Sequence, residues 1–242
     1  MNVCAIIQAR TGSTRLPGKV LLPLAGKSML QNIVERVKRA KRVDQVIVSV
    51  PGGGDGVALS GDWTIHVDFG DENDLIGRYY SAARMYGADL IVRICADNPC
   101  VEPGEIDRAV EYWHGVPDTR HLPSFVSNMH QHKPEFMMEQ SYGRLNGYPD
   151  GIGCEVFSFS RLKMMNEHFW KKGWREHPHL FFHEQGMVSS PRCPEEFSRP
   201  NLKLDVNTKE EYEYIKDIYD YFGHNNFHIT EVIKYLDSKN KS

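Results

Sequence analysis

No run in the 242 residues reaches the roughly 18 consecutive apolar side chains of a membrane-spanning helix. The opening, MNVCAIIQAR, has no basic segment ahead of its apolar stretch, so it does not read as a secretory signal. The chain is expected to work in the cytoplasm, away from any membrane. Cysteine is scarce. Cys4, Cys95, Cys100, Cys154 and Cys193 form an odd, scattered set without a C-x-x-C pair, which argues against a disulfide framework or a thiolate zinc site. No H-E-x-x-H occurs, so His177, His179 and His183, and the pair His130 and His132, read as surface or ligand-contact groups rather than zinc ligands. Basic stripes interleaved with aromatics are absent, so nucleic acid is not an expected partner.

What is present is an ordinary globular composition, 40% hydrophobic and 25% charged, which excludes disordered and fibrous classes. At roughly 150 residues per domain, the length favours one large domain spanning 1–242 with an elaboration. The net charge of −3 hides an uneven distribution. Residues 1–42 carry nine basic side chains against the single acid Glu35, whereas residues 43–111 carry thirteen acids against four arginines. The first segment is expected to meet an anion and the second to supply metal-binding carboxylates. Arg36, Lys38, Arg39, Lys41 and Arg42 close a predicted helix and read as a solvated, dipole-complementing end. Arg10, Arg15 and Lys19 fall in a loop, where that explanation does not apply.

Periodicity orders the elements. Short β-branched runs predict strands at 3–7, 45–50, 64–69 and 90–95, and apolar spacings of three and four predict helices from 29 to 40, 73–86 and 105–113. Glycine-rich 51–62 reads as loop. Residues 116–150, with four prolines, read as an excursion from the core. Strands at 155–159 and 202–205 and a helix at 160–168 should follow. Thr208 and Glu211 form a capping box ahead of a last helix lined by Tyr212, Ile215, Ile218, Tyr219 and Phe222. The alternation predicts an α/β domain with a largely parallel sheet, whose ligands bind at the carboxyl ends of the strands.

The segment after the first strand carries the chemistry. Gly12 and Gly18 permit close backbone approach, Ser13 and Thr14 supply hydroxyls, and Arg10, Arg15 and Lys19 supply cations, a set suited to a polyphosphate. It is neither a Walker A loop nor G-x-G-x-x-G, because five residues separate Gly12 from Gly18 and Val20 follows Lys19. Asp97 and Asp205 each follow a predicted strand.

Q-A-R-x-G-S-x-R-L-P-G-K, from Gln8 to Lys19, resembles the signature of cytidylyltransferases that make CMP-activated sugar acids, in particular the spore-coat-polysaccharide type related to the ketodeoxyoctonate and acylneuraminate enzymes. Similar motifs recur at 20–30, 71–83, 91–99, 148–157, 175–177 and 202–208. The resemblance implies a Rossmann-like nucleotide-diphospho-sugar-transferase fold, with a mostly parallel mixed sheet, flanking helices and an inserted arm. It also implies CTP as substrate, Mg2+ as cofactor and a homodimer. Carried over residue by residue, it places Arg10, Arg15, Lys19 and Asp97 in catalysis and Gln8, Ala9, Gly12, Ser13, Asn73, Asp74 and Arg78 around the nucleotide. Glu155, Arg175, Glu176 and His177 fall on the side of an anionic acceptor, expected to be a sugar acid, and Asp97 and Asp205 on the metal. The chain departs from the pattern at P-G-G-G-D-G, residues 51–56, and at 129–147. Alternatives are a phosphate or phosphonate acceptor giving a CDP-linked product, a glycosyltransferase, which would want a D-x-D motif that Ala96-Asp97-Asn98 does not supply, and a non-catalytic nucleotide-binding protein of the same fold.

Overall fold

The computed structural model describes residues 1–115, 125–127, 129, 147–184 and 188–239. The excursion expected at 116–150 lies largely outside them, as do His130 and His132. Strands β1 (Val3–Gln8), β4 (Gln45–Pro51), β5 (Thr64–Asp68) and β6 (Leu90–Cys95) pair in parallel, in the order β5-β4-β1-β6. Between β1 and β4 lie a two-residue hairpin, β2 (Pro23–Leu24) with β3 (Lys27–Ser28), and helix α1 (Met29–Val37). Helix α3 (Leu75–Met85) joins β5 to β6, and α4 (Pro103–Gly115) follows β6. Beyond β6 the sheet turns mixed: β8 (Glu155–Ser158) pairs antiparallel with β6, then β7 (Phe125–Ser127) antiparallel with β8, and β9 (Val188–Ser189) parallel with β7. These seven strands form one sheet with helices on both faces, the α/β class expected.

Both sheet faces are buried, so the central strands carry continuous apolar runs instead of alternation. One core packs Ala5, Ile7, Val48, Val92 and Ile94 under α1, α4, α8 (Lys209–Phe222) and α9 (Ile229–Lys239). The other packs Ile6, Ile47, Ile91 and Phe157 under α3 and α5 (Phe159–His168). The capping box at Thr208 is present, and Gly223 ends α8 in the left-handed conformation. All five cysteines are free thiols. No helix among the described residues is long and apolar enough to cross a membrane.

Four expectations need correction. The glycine-rich 51–62 segment holds a short helix, α2 (Asp55–Ala58). Residues 202–205 do not join the sheet; Lys203 makes an isolated bridge with Asp150 instead. That bridge depends on Gly151, at φ +85°, where an added Cβ would lie 2.5 Å from the Leu204 carbonyl carbon. The last helix is not α8, because α9 follows it. Finally, Arg36 and Arg39 are not a solvated helix end. Arg36 is 1% exposed and donates to the carbonyls of Val101, Asn225 and Phe227 at 2.7, 2.7 and 3.0 Å. Its guanidinium lies 4.5 Å from the centroid of the Phe227 ring and 3.5 Å from Glu102 Oε2, while Arg39 donates to Asn225 Oδ1 at 3.0 Å. Val101 and Glu102 are 65 and 66 positions away in sequence, and Asn225 and Phe227 are 189 and 191, so the burial is tertiary in origin. Lys41 and Arg42 are exposed as expected.

Because Arg36 is the shared donor for three buried carbonyls, Arg36→Ala should cost about 3–5 kcal/mol in urea unfolding, leaving Glu102 short of a counter-charge. Activity per folded molecule should stay close to the native value, since Arg36 lies away from the strand ends.

Candidate active site

Register places the site. Gln8, the last residue of β1, pairs with Ser49 on β4 and Cys95 on β6, so the segments leaving all three strands emerge at one edge of the sheet. There the loop after β1 folds on itself: the amides of Ser13 and Gly18 both donate to Thr11 O at 2.9 Å, and Gly18 takes φ 68°, a left-handed value that glycine adopts without strain. Asp55 on α2 holds the loop from the side, accepting from Thr11 N at 3.0 Å and from the Thr11 hydroxyl.

Lys19 is the centre of the arrangement. Its Nζ donates to Asp97 Oδ2 at 3.1 Å, Val206 O at 2.6 Å and Asn207 Oδ1 at 3.1 Å. Arg15 reaches the same Asn207 Oδ1 at 2.8 Å, and Val206 N donates to Asp97 O at 2.8 Å. The turn after β6, the first loop and the segment before α8 are thereby joined. Around them opens a cleft of about 770 Å³, lined by Gln8, Arg10, Ser13, Arg15, Lys19 and Asp97 together with Asn207 and His177. A second cleft of about 430 Å³ adjoins it, lined by Gln8, Ala9, Arg10, Leu75, Arg78, Glu176 and His177. Gln8, Arg10 and His177 border both.

Asp205 lies one step behind this surface. Its Oδ2 accepts from Asn207 Nδ2, while its Oδ1 is buried without a hydrogen-bond partner. Burial, then the carboxylates of Asp150, Asp97 and Glu211, push its acid up to about 6. A buried carboxylate with an open oxygen, among others of the same sign, is an environment that a cation would relieve. Cys95 also borders the larger cleft, but burial pushes its thiol up to about 12, leaving it un-ionised and a poor nucleophile.

The remaining residues singled out in the sequence divide into groups. Asp74 caps α3 through Gly77 N at 2.9 Å and accepts a two-point ion pair from Arg175, with N–O distances of 2.9 and 2.6 Å. Arg175 spends its other donors on Asn166 O, Asn166 Oδ1 and Phe169 O, so its guanidinium is engaged within the protein. It staples α6 (Lys172–Glu176) to the start of α3, which sets Glu176 and His177 at the cleft. Glu155 is 3% exposed and pairs with buried Arg93 at 2.7 Å, below the cleft surface. Arg78 is buried and donates to Glu72 O at 2.7 Å. Gly12 stands beside Glu72, whose carboxylate holds Arg10 at 2.8 Å, and Asn73 lies in the turn before Asp74. Helix α7 (His179–Glu184) brings His179 to 3.8 Å from Glu155. Sequence reasoning did not single out Asn207, Asp55, Glu72 or Tyr79; of these only Asn207 carried a signal, lying two residues past Asp205 and just before a helix cap.

The profile of the cytidylyltransferase family matches residues 4–220, which include every site residue described above. The chain belongs to the cytidylyltransferase family. As a member of this CTP-dependent family it is an enzyme, and its similarities are consistent with that. It is 30% identical to an uncharacterized protein of Methanocaldococcus jannaschii, over 98% of this chain and 91% of that one. It is 27% identical to the spore coat polysaccharide biosynthesis protein SpsF of Bacillus subtilis, over 92% and 88%. A shorter match, 38% identical over 111 residues, covers 46% of this cytidylyltransferase and 44% of the 3-deoxy-manno-octulosonate cytidylyltransferase of Geobacter sulfurreducens. Among solved structures, a cytidylyltransferase from Leptospira borgpetersenii superposes with a TM-score of 0.83 at 27% identity, covering 100% of this chain and 96% of that one.

The raised pKa of Asp205 gives a stability signature. A carboxyl that holds its proton more tightly folded than unfolded contributes stability in full below about pH 4, and loses it as pH rises through about 6. Asp205→Asn mimics the protonated form. In chelator, its thermal midpoint should exceed that of the native cytidylyltransferase above pH 6, by the equivalent of about 1–2 kcal/mol, and converge with it below pH 4. Coincident midpoints across the range would show that Asp205 is not destabilised by its neighbours.

Proposed function

We propose that this cytidylyltransferase transfers CMP from CTP to the oxygen of an anionic acceptor, a sugar acid, and releases pyrophosphate. The observation that carries this reading is the meeting of Arg10, Arg15 and Lys19 with Asp97 and Asn207 at the carboxyl ends of β1 and β6. Nucleotidyl transfer needs the triphosphate charge balanced and the acceptor oxygen placed in line with the α-phosphorus; the three cations of the first loop, beside the carboxylate of Asp97, supply the charge balance. The spore coat polysaccharide and octulosonate relatives support a sugar acid as acceptor.

Asp97 and Asp205 are the residues that would hold Mg2+. The open, buried Oδ1 of Asp205 fits a cation, and Mg2+ takes one or two carboxylates and completes its shell with phosphate oxygens and water. When bound, Mg2+ would supply charge neutralisation at the triphosphate. The protein's part is to bind and orient: Arg10, Arg15 and Lys19 draw negative charge toward the leaving pyrophosphate, with Ser13 beside them and Gly12 letting the backbone approach. Gln8, Ala9 and Arg78, with Asn73 and Asp74 at the start of α3, form the nucleoside side.

His177 faces the acceptor in this reading, and Glu176, which borders only the smaller cleft, stands between it and the nucleoside side. Arg175 and Glu155 serve it from behind, Arg175 by seating helix α6 next to His177 and Glu155 through the Arg93 pair. His177 borders both clefts and so stands where nucleotide and acceptor meet.

Two measurements test the proposal. Pyrophosphate release from CTP and Mg2+ should depend on a sugar acid; Arg15→Ala should lower kcat/KM for CTP about ten- to a hundredfold with the fold intact, the loss of one charge-assisted contact of about 1.5–3 kcal/mol, and Lys19→Ala should lower it further, because it also releases Asp97, Val206 and Asn207 from one another. Unaltered kinetics in both variants would remove the phosphate role from the loop. Arg175→Lys keeps the charge but cannot reproduce five directed N–H donors. It should raise the acceptor KM several-fold while calorimetric CTP affinity stays nearly constant; the reverse pattern would move Arg175 to the nucleotide side.

A further inference from the structure

Tyr79 lies on α3 inside the second core, 2% exposed, packed among Ile6, Ile76 and Ile91. A buried phenol must place its hydroxyl on a partner. This one donates to Gln8 Oε1 at 2.8 Å. Burial holds the phenol far from ionisation, so it keeps that proton across the working pH range. Gln8 is the last residue of β1, and its side chain borders both clefts.

A glutamine amide has one face that accepts and one that donates, and neighbouring hydrogen bonds decide which way round it sits. With Oε1 committed to Tyr79, the group left for a ligand is Nε2, which can only donate. The smaller cleft adjoins the cationic one and adds an apolar side chain, Leu75, to the polar groups Gln8 and Arg78, so a nucleoside whose triphosphate lies on Arg10, Arg15 and Lys19 extends its base toward Gln8. The Watson–Crick edge of cytosine offers two adjacent acceptors, N3 and O2. Uracil carries a hydrogen on N3, so an N–H held opposite that atom is repelled. Specificity built this way relies on a mismatch against the wrong ligand as much as on attraction to the right one.

We infer that Tyr79 is a positioning residue that locks the Gln8 amide with its donor face toward the base, and that this lock selects cytosine over uracil nucleotides. The inference rests on the CTP reading given above. A freely turning amide could present its oxygen to uracil N3–H and would discriminate less. Glutamate at position 8 would still accept from Tyr79 but would present an oxygen where cytosine needs a donor.

The test compares pyrophosphate release with CTP and with UTP, under saturating acceptor, in the native enzyme, Tyr79→Phe and Gln8→Glu. The native enzyme should prefer CTP. Tyr79→Phe should lower the CTP-to-UTP ratio of kcat/KM about tenfold while lowering CTP use by no more than about threefold. Gln8→Glu should lose CTP use at least tenfold and narrow or invert the ratio. The ratio is the decisive readout because loss of folded enzyme affects both nucleotides equally. A native enzyme indifferent to the base, or ratios unchanged in the variants, overturns the inference while leaving cytidylyl transfer standing; no CTP turnover in the native enzyme with any acceptor defeats the functional reading itself. Should Tyr79→Phe fail to fold, Gln8→Glu alone decides, since its substituted group faces the cleft.

Discussion

The Lys19 ammonium is the contact on which the cleft depends. Two chain segments distant in sequence end on it, the turn after β6 through Asp97 and the approach to α8 through Val206 and Asn207, and both are thereby joined to the segment that carries Lys19. Each brings oxygen atoms, and oxygen atoms gathered at a strand edge repel one another unless a cation sits between them. A lysine suits the position because its compact charge can serve three acceptors from different directions, whereas the flat fork of an arginine suits a single planar partner. The parallel register of β1 with β4 and β6 does the rest, delivering the segments that leave these three strands to one edge.

Two kinds of charge are used differently across the molecule. Arg36, and the Arg93–Glu155 pair, are buried and held by backbone carbonyls or by each other; their removal unbalances the interior. The Asp205 carboxylate is kept at a cost. With Asp150 and Asp97 nearby, its ionised form is disfavoured, and its buried Oδ1 finds nothing to accept. A protein selected for stability alone would place an asparagine there. Strain of this sort, confined to the site and surrounded by a well-satisfied scaffold, is the usual mark of a group held ready for a ligand.

Most of the parallel half of the fold was legible because its signals are local. Strands β1, β4, β5 and β6 are apolar runs with turn residues at their ends, α1 and α3 show three-and-four spacing, and α8 announces itself by its capping box. The antiparallel margin was less so: β7 and β9 are three and two residues long, too short for any period to show. Residues 202–205 have the composition of a strand but find a partner only in Asp150, through a close approach that Gly151 permits. Burial of Arg36 was invisible for a related reason, since a cation at a helix end is normally solvated and only the distant turn at 225–227 makes it otherwise. In the site, the phosphate-type chemistry of the first loop was readable from composition. The partners of its cations were not, because Arg15 and Asn207 are 192 positions apart.

The way those partners hold the loop explains how it can be ordered and still exchange its contacts for a nucleotide. Arg10 pairs with Glu72, but their side chains are 41% and 50% exposed, and a pair so open to water contributes at most about 1 kcal/mol. Trading Glu72 for a phosphate oxygen therefore costs little. The firm restraint comes from elsewhere: Thr11 is held through both its amide and its hydroxyl by Asp55, which stands on the short helix within the glycine-rich segment. Fixing the backbone at Thr11 while leaving Arg10 and Arg15 on replaceable partners separates two demands on the loop. The ordering entropy is met on folding, and the charge contacts remain available for the ligand. Asp55 thus restrains the loop without occupying its cations.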